Sequence, residues 1–197
     1  MLLKYNYLIF ISLSFLIFFT ISAQGDTIHE SAKKGDLKNI DALLKNNPEL
    51  IHKKNEDGLT CLRIAIYSDR DYVVEYLLDH GAETDWISAC YLGQLDRAKE
   101  LLKNDNELIH QIDTAGIKYS YKIIKDIQIV PEGTEGLTSL QIATYQGHHD
   151  LSKFLISQGA TVDIHSACYL GMIDEIKNLL KENPDYIKKI GNRSGLR

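Results

Sequence analysis

The sequence has few prolines and glycines and only a small net charge. Its 197 residues include three prolines and 13 glycines, which leaves little room for a long linker. Its 22 basic and 27 acidic residues give a net charge of −5, so we expect no nucleic-acid partner and no binding to an anionic membrane surface. Hydrophobic residues at 44% and charged residues at 25% are typical of an ordinary globular protein.

Signatures of catalysis and of cofactor binding are also missing. The chain has no Gly-x-Ser-x-Gly nucleophile elbow and no glycine-rich phosphate loop with a lysine. Its acidic residues are scattered rather than paired for acid–base chemistry. There is no Cys-x-x-Cys pair, and His148, His149 and Asp150 fall at a predicted turn without the three or four converging ligands that zinc needs. We therefore predict a protein that is not an enzyme and holds no metal or cofactor.

The three cysteines are Cys61, Cys90 and Cys168. Their number is odd, and the last two stand at equivalent positions of two similar segments. We predict that all three are free, buried thiols that pack as small apolar side chains.

The N-terminus has the pattern of an export signal. Lys4 precedes an apolar stretch over residues 7–21, and small Ala23 follows. We predict a signal peptide cleaved near Ala23 and Gln24, with the rest of the chain periplasmic or secreted. The alternative is an uncleaved anchor helix, because about 20 apolar residues span a bilayer. Lys4 would keep the N-terminus cytoplasmic in both cases.

Internal repetition predicts the fold. The segment GLTCLRIA at 58–65 returns as GLTSLQIA at 136–143, and SACYLG at 88–93 returns unchanged at 166–171. The offset is the same for both segments, since 136 − 58 = 166 − 88. A fixed period is typical of stacked repeats, in which neighbouring units bury each other's apolar faces.

Each repeated block contains two similar units, each a short helix, a turn and a second helix with an apolar stripe. Five units begin near Ile28, Leu62, Trp86, Leu140 and Ile164. We expect their second helices to bury Leu77, Leu101 and Leu155 between units. The fifth unit has apolar surface at the end of the stack, so we predict that it is the least stable and that residues 190–197 are poorly ordered.

These residues resemble the ankyrin repeat, whose pattern is Gly-x-Thr-Pro-Leu-His-x-Ala-Ala followed by an apolar second helix and Gly-Ala. Units two and four carry the pattern from Gly58 to Ala82 and from Gly136 to Ala160. The resemblance implies an all-α solenoid of about five helix-turn-helix units within residues 24–197. It also implies a protein partner bound at the concave face and the finger loops.

The spacing of the units departs from the family. Successive units begin 34, 24, 54 and 24 residues apart. The 24-residue steps leave no room for a hairpin finger, whereas the 54-residue step adds an insertion at about 111–134. Alternating apolar and polar residues at 117–123 and 127–129 predict a projecting β-hairpin. This hairpin either binds the partner or covers the neighbouring helices.

Five residues are candidates for the partner surface. Tyrosine offers a large contact area and a hydroxyl at modest entropic cost, and the candidates lie on the insertion or near the finger bases: Tyr119, Tyr121, Lys122, Arg63 and Gln141. We expect a monomer that binds one protein. The alternative is a structural envelope component, held at the membrane if residues 1–23 are not cleaved. An enzyme is a remote alternative.

Overall fold

The computed structural model describes residues 26–119 and 136–186. The predicted signal segment over residues 1–23, Tyr121 and Lys122 of the insertion, and residues 190–197 lie outside the described residues. Within the described ranges, every helix is too short or too polar to cross a bilayer.

Five helix-turn-helix units follow one another, as the repetition predicted. The first helices of the units are α1 (Ile28–Lys34), α3 (Cys61–Tyr67), α5 (Trp86–Leu92), α8 (Ser139–Tyr145) and α10 (Ile164–Tyr169). The second helices are α2 (Leu37–Asn46), α4 (Asp71–Asp79), α6 (Leu95–Asn104), α9 (His149–Ser157) and α11 (Ile173–Glu182). Short 3-10 helices over Pro48–His52 and Asn106–His110 follow α2 and α6. First helices of successive units contact each other and form a row.

A side-chain cap fixes where each first helix begins. The residue before the helix accepts a hydrogen bond from a backbone N–H of the first turn in all five units, through Thr27, Thr60, Asp85, Thr138 and Asp163. Threonine and aspartate are favoured at this position because they satisfy N–H groups that the helix leaves unpaired. The repeated threonines of the sequence motif are therefore helix caps.

The core runs along the whole stack. Each first helix buries one alanine completely, and these alanines are Ala32, Ala65, Ala89, Ala143 and Ala167. The second helices add larger side chains such as Leu77 and Leu155, both fully buried as predicted. The expectation for Leu101 is wrong, because this residue is half-buried and Leu102 takes the core position. Leu102 lies four residues after buried Ala98 on the same helical face, whereas Leu101 lies at its edge.

Two of the four junctions between units are hairpin fingers. Lys54 bridges Thr60 at the first junction. At the third junction, strand β1 (Ile112–Asp113) pairs antiparallel with β2 (Leu137–Thr138), and Ile112 stands opposite Thr138. The second and fourth junctions are the tight connections expected from the spacing, with α4 ending at Asp79 and α5 beginning at Trp86 in the first of them.

The insertion therefore extends a finger whose base is an antiparallel strand pair. Its first residues form helix α7 (Thr114–Tyr119), so the expected strand is wrong over residues 117–119. The cause is local, because the carboxylate of Asp113 accepts a hydrogen bond from the N–H of Gly116 at 3.0 Å and caps a helical turn. The rest of the predicted hairpin, residues 120–135, lies outside the described residues.

Unit five differs from the others in its burial. None of the residues of α11 is fully buried, and Ile173 is 65% exposed. In the described part of the chain, α11 has a neighbour on one side only. Its lower stability stays a prediction.

Candidate protein-binding surface

A buried polar cluster anchors the insertion to the row of first helices. Tyr67 ends α3, Tyr91 lies near the end of α5, and Asp113 ends β1. The hydroxyl of Tyr67 donates to Asp113 Oδ1 at 2.7 Å, and that of Tyr91 donates to Oδ2 at 3.2 Å. All three residues are at most 5% exposed. We call Tyr67 and Tyr91 the first tyrosine pair.

The cluster is arranged so that a carboxylate can be buried. Asp113 receives the two hydroxyls and the N–H of Gly116, and buried charges need such donors to offset lost hydration. Burial raises the pKa of Tyr67 far above its usual value, although the nearby Arg63 opposes this. Tyr67 therefore stays a protonated donor, and the start of the insertion is held in place.

Arg63 lies beside this cluster. Its guanidinium carbon is 6.0 Å from the centre of the Tyr67 ring, within the range of a cation–π contact. Its Nη1 is 3.4 Å from Oδ2 of Asp85. The side chain is 13% exposed, and its Nε is buried without a hydrogen-bond acceptor in the described part of the chain. Arg63 thus lies at the root of the insertion and presents little of its surface to solvent.

The other candidate residues do not form one described patch. Gln141 is 6% exposed, and its side-chain oxygen accepts from the N–H of Thr138 in a capping box. That burial leaves little of Gln141 for a partner to contact. Tyr119 ends α7, while Tyr121 and Lys122 lie outside the described residues. Contact of these residues with a partner stays a prediction.

A second tyrosine pair, Tyr145 and Tyr169, occupies the equivalent place in the second copy of the repeat. Its ring centres are 5.5 Å apart at an interplanar angle of 63°, against 5.4 Å and 74° in the first pair. Tyr169 is 50% exposed. The hydroxyl of Tyr145 is buried and has no hydrogen-bond partner among the described residues. Burial first, and Asp163 second, raise the pKa of Tyr145 well above its usual value.

Two stretches of the chain, residues 57–88 and 135–167, match the family model of the ankyrin repeat. The chain contains ankyrin repeats. Each stretch begins at a finger and runs through one unit into the first helix of the next unit. No curated protein matches the sequence. Ankyrin repeats are generally protein–protein interaction modules, and proteins that carry them are typically binding scaffolds without catalytic activity.

The cysteines divide according to their neighbours in the ankyrin stack. Cys61 and Cys90 are buried, and burial raises their pKa values to about 11 and about 12. Cys168 is exposed, so its predicted burial is wrong. Cys90 lies on α5, which α8 of the next unit covers, whereas in the described part of the chain no further unit packs against α10 beyond Cys168.

His148 has a structural role in the stack. Its Nε2 is 2.8 Å from the carbonyl oxygen of Tyr91 in the preceding unit. Arg70 takes the equivalent place in unit two, where its Nε donates to the carbonyl of Lys33 at 3.2 Å. In residues 26–119 and 136–186, no three His, Cys, Asp or Glu side chains converge as metal ligands.

The second tyrosine pair was not found by reasoning from the sequence. The signal was present, because Tyr67 and Tyr145, and likewise Tyr91 and Tyr169, share the offset of the repeat. What the sequence did not reveal is that Asp113, from the departing insertion, contacts the first pair.

Proposed function

We propose that this ankyrin-repeat protein is exported and binds a protein partner through its row of first helices and its finger loops. The observation that carries the proposal is the buried anchor of Asp113 on Tyr67 and Tyr91. It fixes the point at which the insertion leaves a rigid scaffold, and binding residues are commonly held on loops in this way. In the proposal, the insertion and the adjacent surface form the contact.

Four of the five candidate residues keep their roles within this proposal. Arg63 contributes the exposed part of its guanidinium at the root of the insertion, and Tyr119, Tyr121 and Lys122 contribute from the insertion itself. Gln141 acts mainly by holding the base of the finger, because its side chain closes the capping box. Helix α7 contacts α3, which favours a covering role for residues 114–118 and leaves Tyr119 and residues 120–135 for the partner.

Replacing residues 120–135 by a Gly/Ser segment of equal length tests the proposal. This change keeps Asp113 and α7, so the helical signal of the repeat units in the far-ultraviolet circular dichroism should be retained. Pull-down from the exported fraction should capture a stoichiometric partner with the native chain and much less with the variant. Lys103→Ala, on the exposed side of α6, is the matched control and should retain the partner.

Other outcomes of that pull-down have definite meanings. A variant that unfolds would show that the insertion covers the helices instead of binding. Equal capture by both proteins would remove the insertion from the contact surface. Absence of any stoichiometric partner for the native chain would favour the alternative of a structural envelope component.

Export has its own test. The proposal places the mature N-terminus at or near Gln24, because the apolar stretch and Ala23 form a signal-peptide pattern. Mass spectrometry of the protein expressed in its native cells should therefore find a chain without residues 1–23. A retained Met1 in the cytoplasmic fraction would contradict export.

A further inference from the structure

The start of the insertion lies on the surface that the proposed function assigns to the partner. That proposal uses the row of first helices, and Tyr67 and Tyr91 stand at or near the ends of α3 and α5 in this row. Both hydroxyls donate to the carboxylate of Asp113, and all three residues are buried. We call residues 113–116 the Asp113 turn. This turn occupies the place where a partner would meet the ends of the two helices.

The Asp113 turn fits this place closely. The N–H of Gly116 donates to Asp113 Oδ1 at 3.0 Å, and helix α7, which includes the last three residues of the turn, contacts α3. A Cβ atom on Gly116 would stand 2.8 Å from the hydroxyl oxygen of Tyr91, closer than such atoms approach. The backbone of Gly116 lies outside the left-handed region. The close approach to Tyr91 is therefore what requires a glycine here.

The repeat indicates that units of this kind fold without such a turn. The equivalent pair, Tyr145 and Tyr169, has ring centres 5.5 Å apart, against 5.4 Å for Tyr67 and Tyr91, and yet Tyr169 is 50% exposed. The completely buried alanines of the core lie on the first helices and not on the turn. A buried carboxylate also regains water when it leaves, which offsets part of the hydrogen bonding that it loses. We therefore expect the turn to open locally while the units stay folded.

The surface beneath the turn has a composition that suits protein recognition. Opening frees the hydroxyls of Tyr67 and Tyr91, and the guanidinium carbon of Arg63 lies 6.0 Å from the centre of the Tyr67 ring. Tyrosine and arginine are among the residues most enriched in binding hot spots. The group that the two hydroxyls hold in the closed arrangement is a carboxylate. The uncovered surface therefore fits an acidic side chain.

We propose that the Asp113 turn is an autoinhibitory contact, which lifts so that a carboxylate of the protein partner binds Tyr67 and Tyr91 in place of Asp113. This inference rests on the proposed function, because it assumes a protein partner. The closed turn lowers the apparent affinity in proportion to the fraction of chains that are open. A change that loosens the turn therefore strengthens binding.

A peptide copied from the chain tests the exchange. The peptide IHQIDTAGIKY, residues 109–119, carries the Asp113 turn. In the native chain the attached turn outcompetes the free peptide, because its tether gives it a high effective concentration. Asp113→Ala removes the competing carboxylate, so this full-length variant should bind the labelled peptide at least about tenfold more tightly in fluorescence anisotropy. Adding Tyr67→Phe to that variant should undo most of the gain.

Gly116→Ala is a second variant, which keeps the carboxylate. Its methyl group would collide with the hydroxyl of Tyr91, so it should also strengthen peptide binding. Asp96→Ala is the matched control, since the Asp96 side chain is 99% exposed on α6, and it should bind the peptide as weakly as the native chain. A peptide with Asp113→Asn should not bind. Equal affinity of the native chain and both variants, or no binding at millimolar peptide, would overturn the inference.

Native-state hydrogen exchange tests the opening without any substitution. The amide of Gly116 should have a protection factor at least about tenfold lower than that of Ala89, whose N–H donates to the carbonyl of Asp85 within α5 and its cap. Its exchange should also depend less on urea, because local opening exposes little surface. Equal protection with equal urea dependence would mean that the turn opens only when the stack unfolds, which would overturn the inference. The proposed function would still stand if the partner is captured through residues 120–135, so the two failures are distinguishable.

Discussion

The two halves of the repeat, residues 58–119 and residues 136–186, build the same framework and cover it differently. In the first half, Tyr91 is 5% exposed beneath the chain that carries Asp113. In the second half, Tyr169 is 50% exposed at the equivalent place. The helices, caps and ring geometry follow from the repeated residues. In the first half the cover comes from the segment after α6, which carries Asp113 and which the repeat does not copy.

The equivalent cysteines of the two halves also differ in exposure. Cys90 and Cys168 belong to identical SACYLG segments, yet the first is buried and the second exposed. The thiolate is the reactive form, and burial raises the pKa of Cys90 to about 12. At pH 8 we expect a maleimide to label Cys168 within minutes and Cys61 and Cys90 orders of magnitude more slowly. Peptide mapping by mass spectrometry would identify the labelled thiol. Labelling of Cys168 as slow as that of Cys90 would mean that the second half is as well covered as the first, and fast labelling of both would mean that neither is covered.

Core packing should not distinguish the halves. Leu77 and Leu155 are equivalent and both fully buried. Replacing either by alanine should lower the free energy of unfolding by roughly 2–5 kcal/mol, because transfer energy is lost and a cavity remains. Lys103→Ala should change it by no more than about 0.5 kcal/mol. Urea midpoints would measure the effects, and a Leu155→Ala cost close to that of Lys103→Ala would contradict a shared core.

Local opening should distinguish the halves. Residues 166–180 lie in unit five, where α11 has no fully buried residue, while the equivalent residues 88–102 are packed between two neighbours. We expect the opening free energy from native-state hydrogen exchange to be lower for residues 166–180 by about 1 kcal/mol or more. Equal protection of the two segments would show that unit five is a genuine cap.

Much of this fold could be predicted from the sequence, because each helix has a local cause. In the two units that follow a finger, the threonine before the first helix is its N-cap. The spacing of apolar residues determines which face of each second helix is buried. The exposure of Cys168 could not be predicted from its own SACYLG segment. Cys90 stands in an identical segment and is buried, because a following unit packs against its helix. Strand at residues 117–119 was predicted from alternation, but the cap of Asp113 on Gly116 favours a helix there.

The candidate site was predicted less well than the fold, for a related reason. Arg63 was chosen because it was expected near a finger base, and its side chain lies over the ring of Tyr67, beside the cluster that holds Asp113. Its contact with a partner stays a prediction. The tyrosine pairs were overlooked because their role requires Asp113, which is far from Tyr67 in the sequence. Contacts over such distances follow from the stacking of the units and not from any local pattern.

Removing one hydroxyl from each tyrosine pair is the most direct test of the comparison. It asks whether the hydrogen-bonded cover by Asp113 is the feature that distinguishes the first half from the second. Tyr67→Phe leaves the buried carboxylate of Asp113 without its shortest hydrogen bond, so the free energy of unfolding in urea should fall by about 1–3 kcal/mol. Tyr145→Phe removes a hydroxyl with no partner in the described residues, so stability should change by less than about 0.5 kcal/mol or rise slightly. Equal losses from the two substitutions would contradict the account, because the second pair would then have an acceptor of its own within the chain.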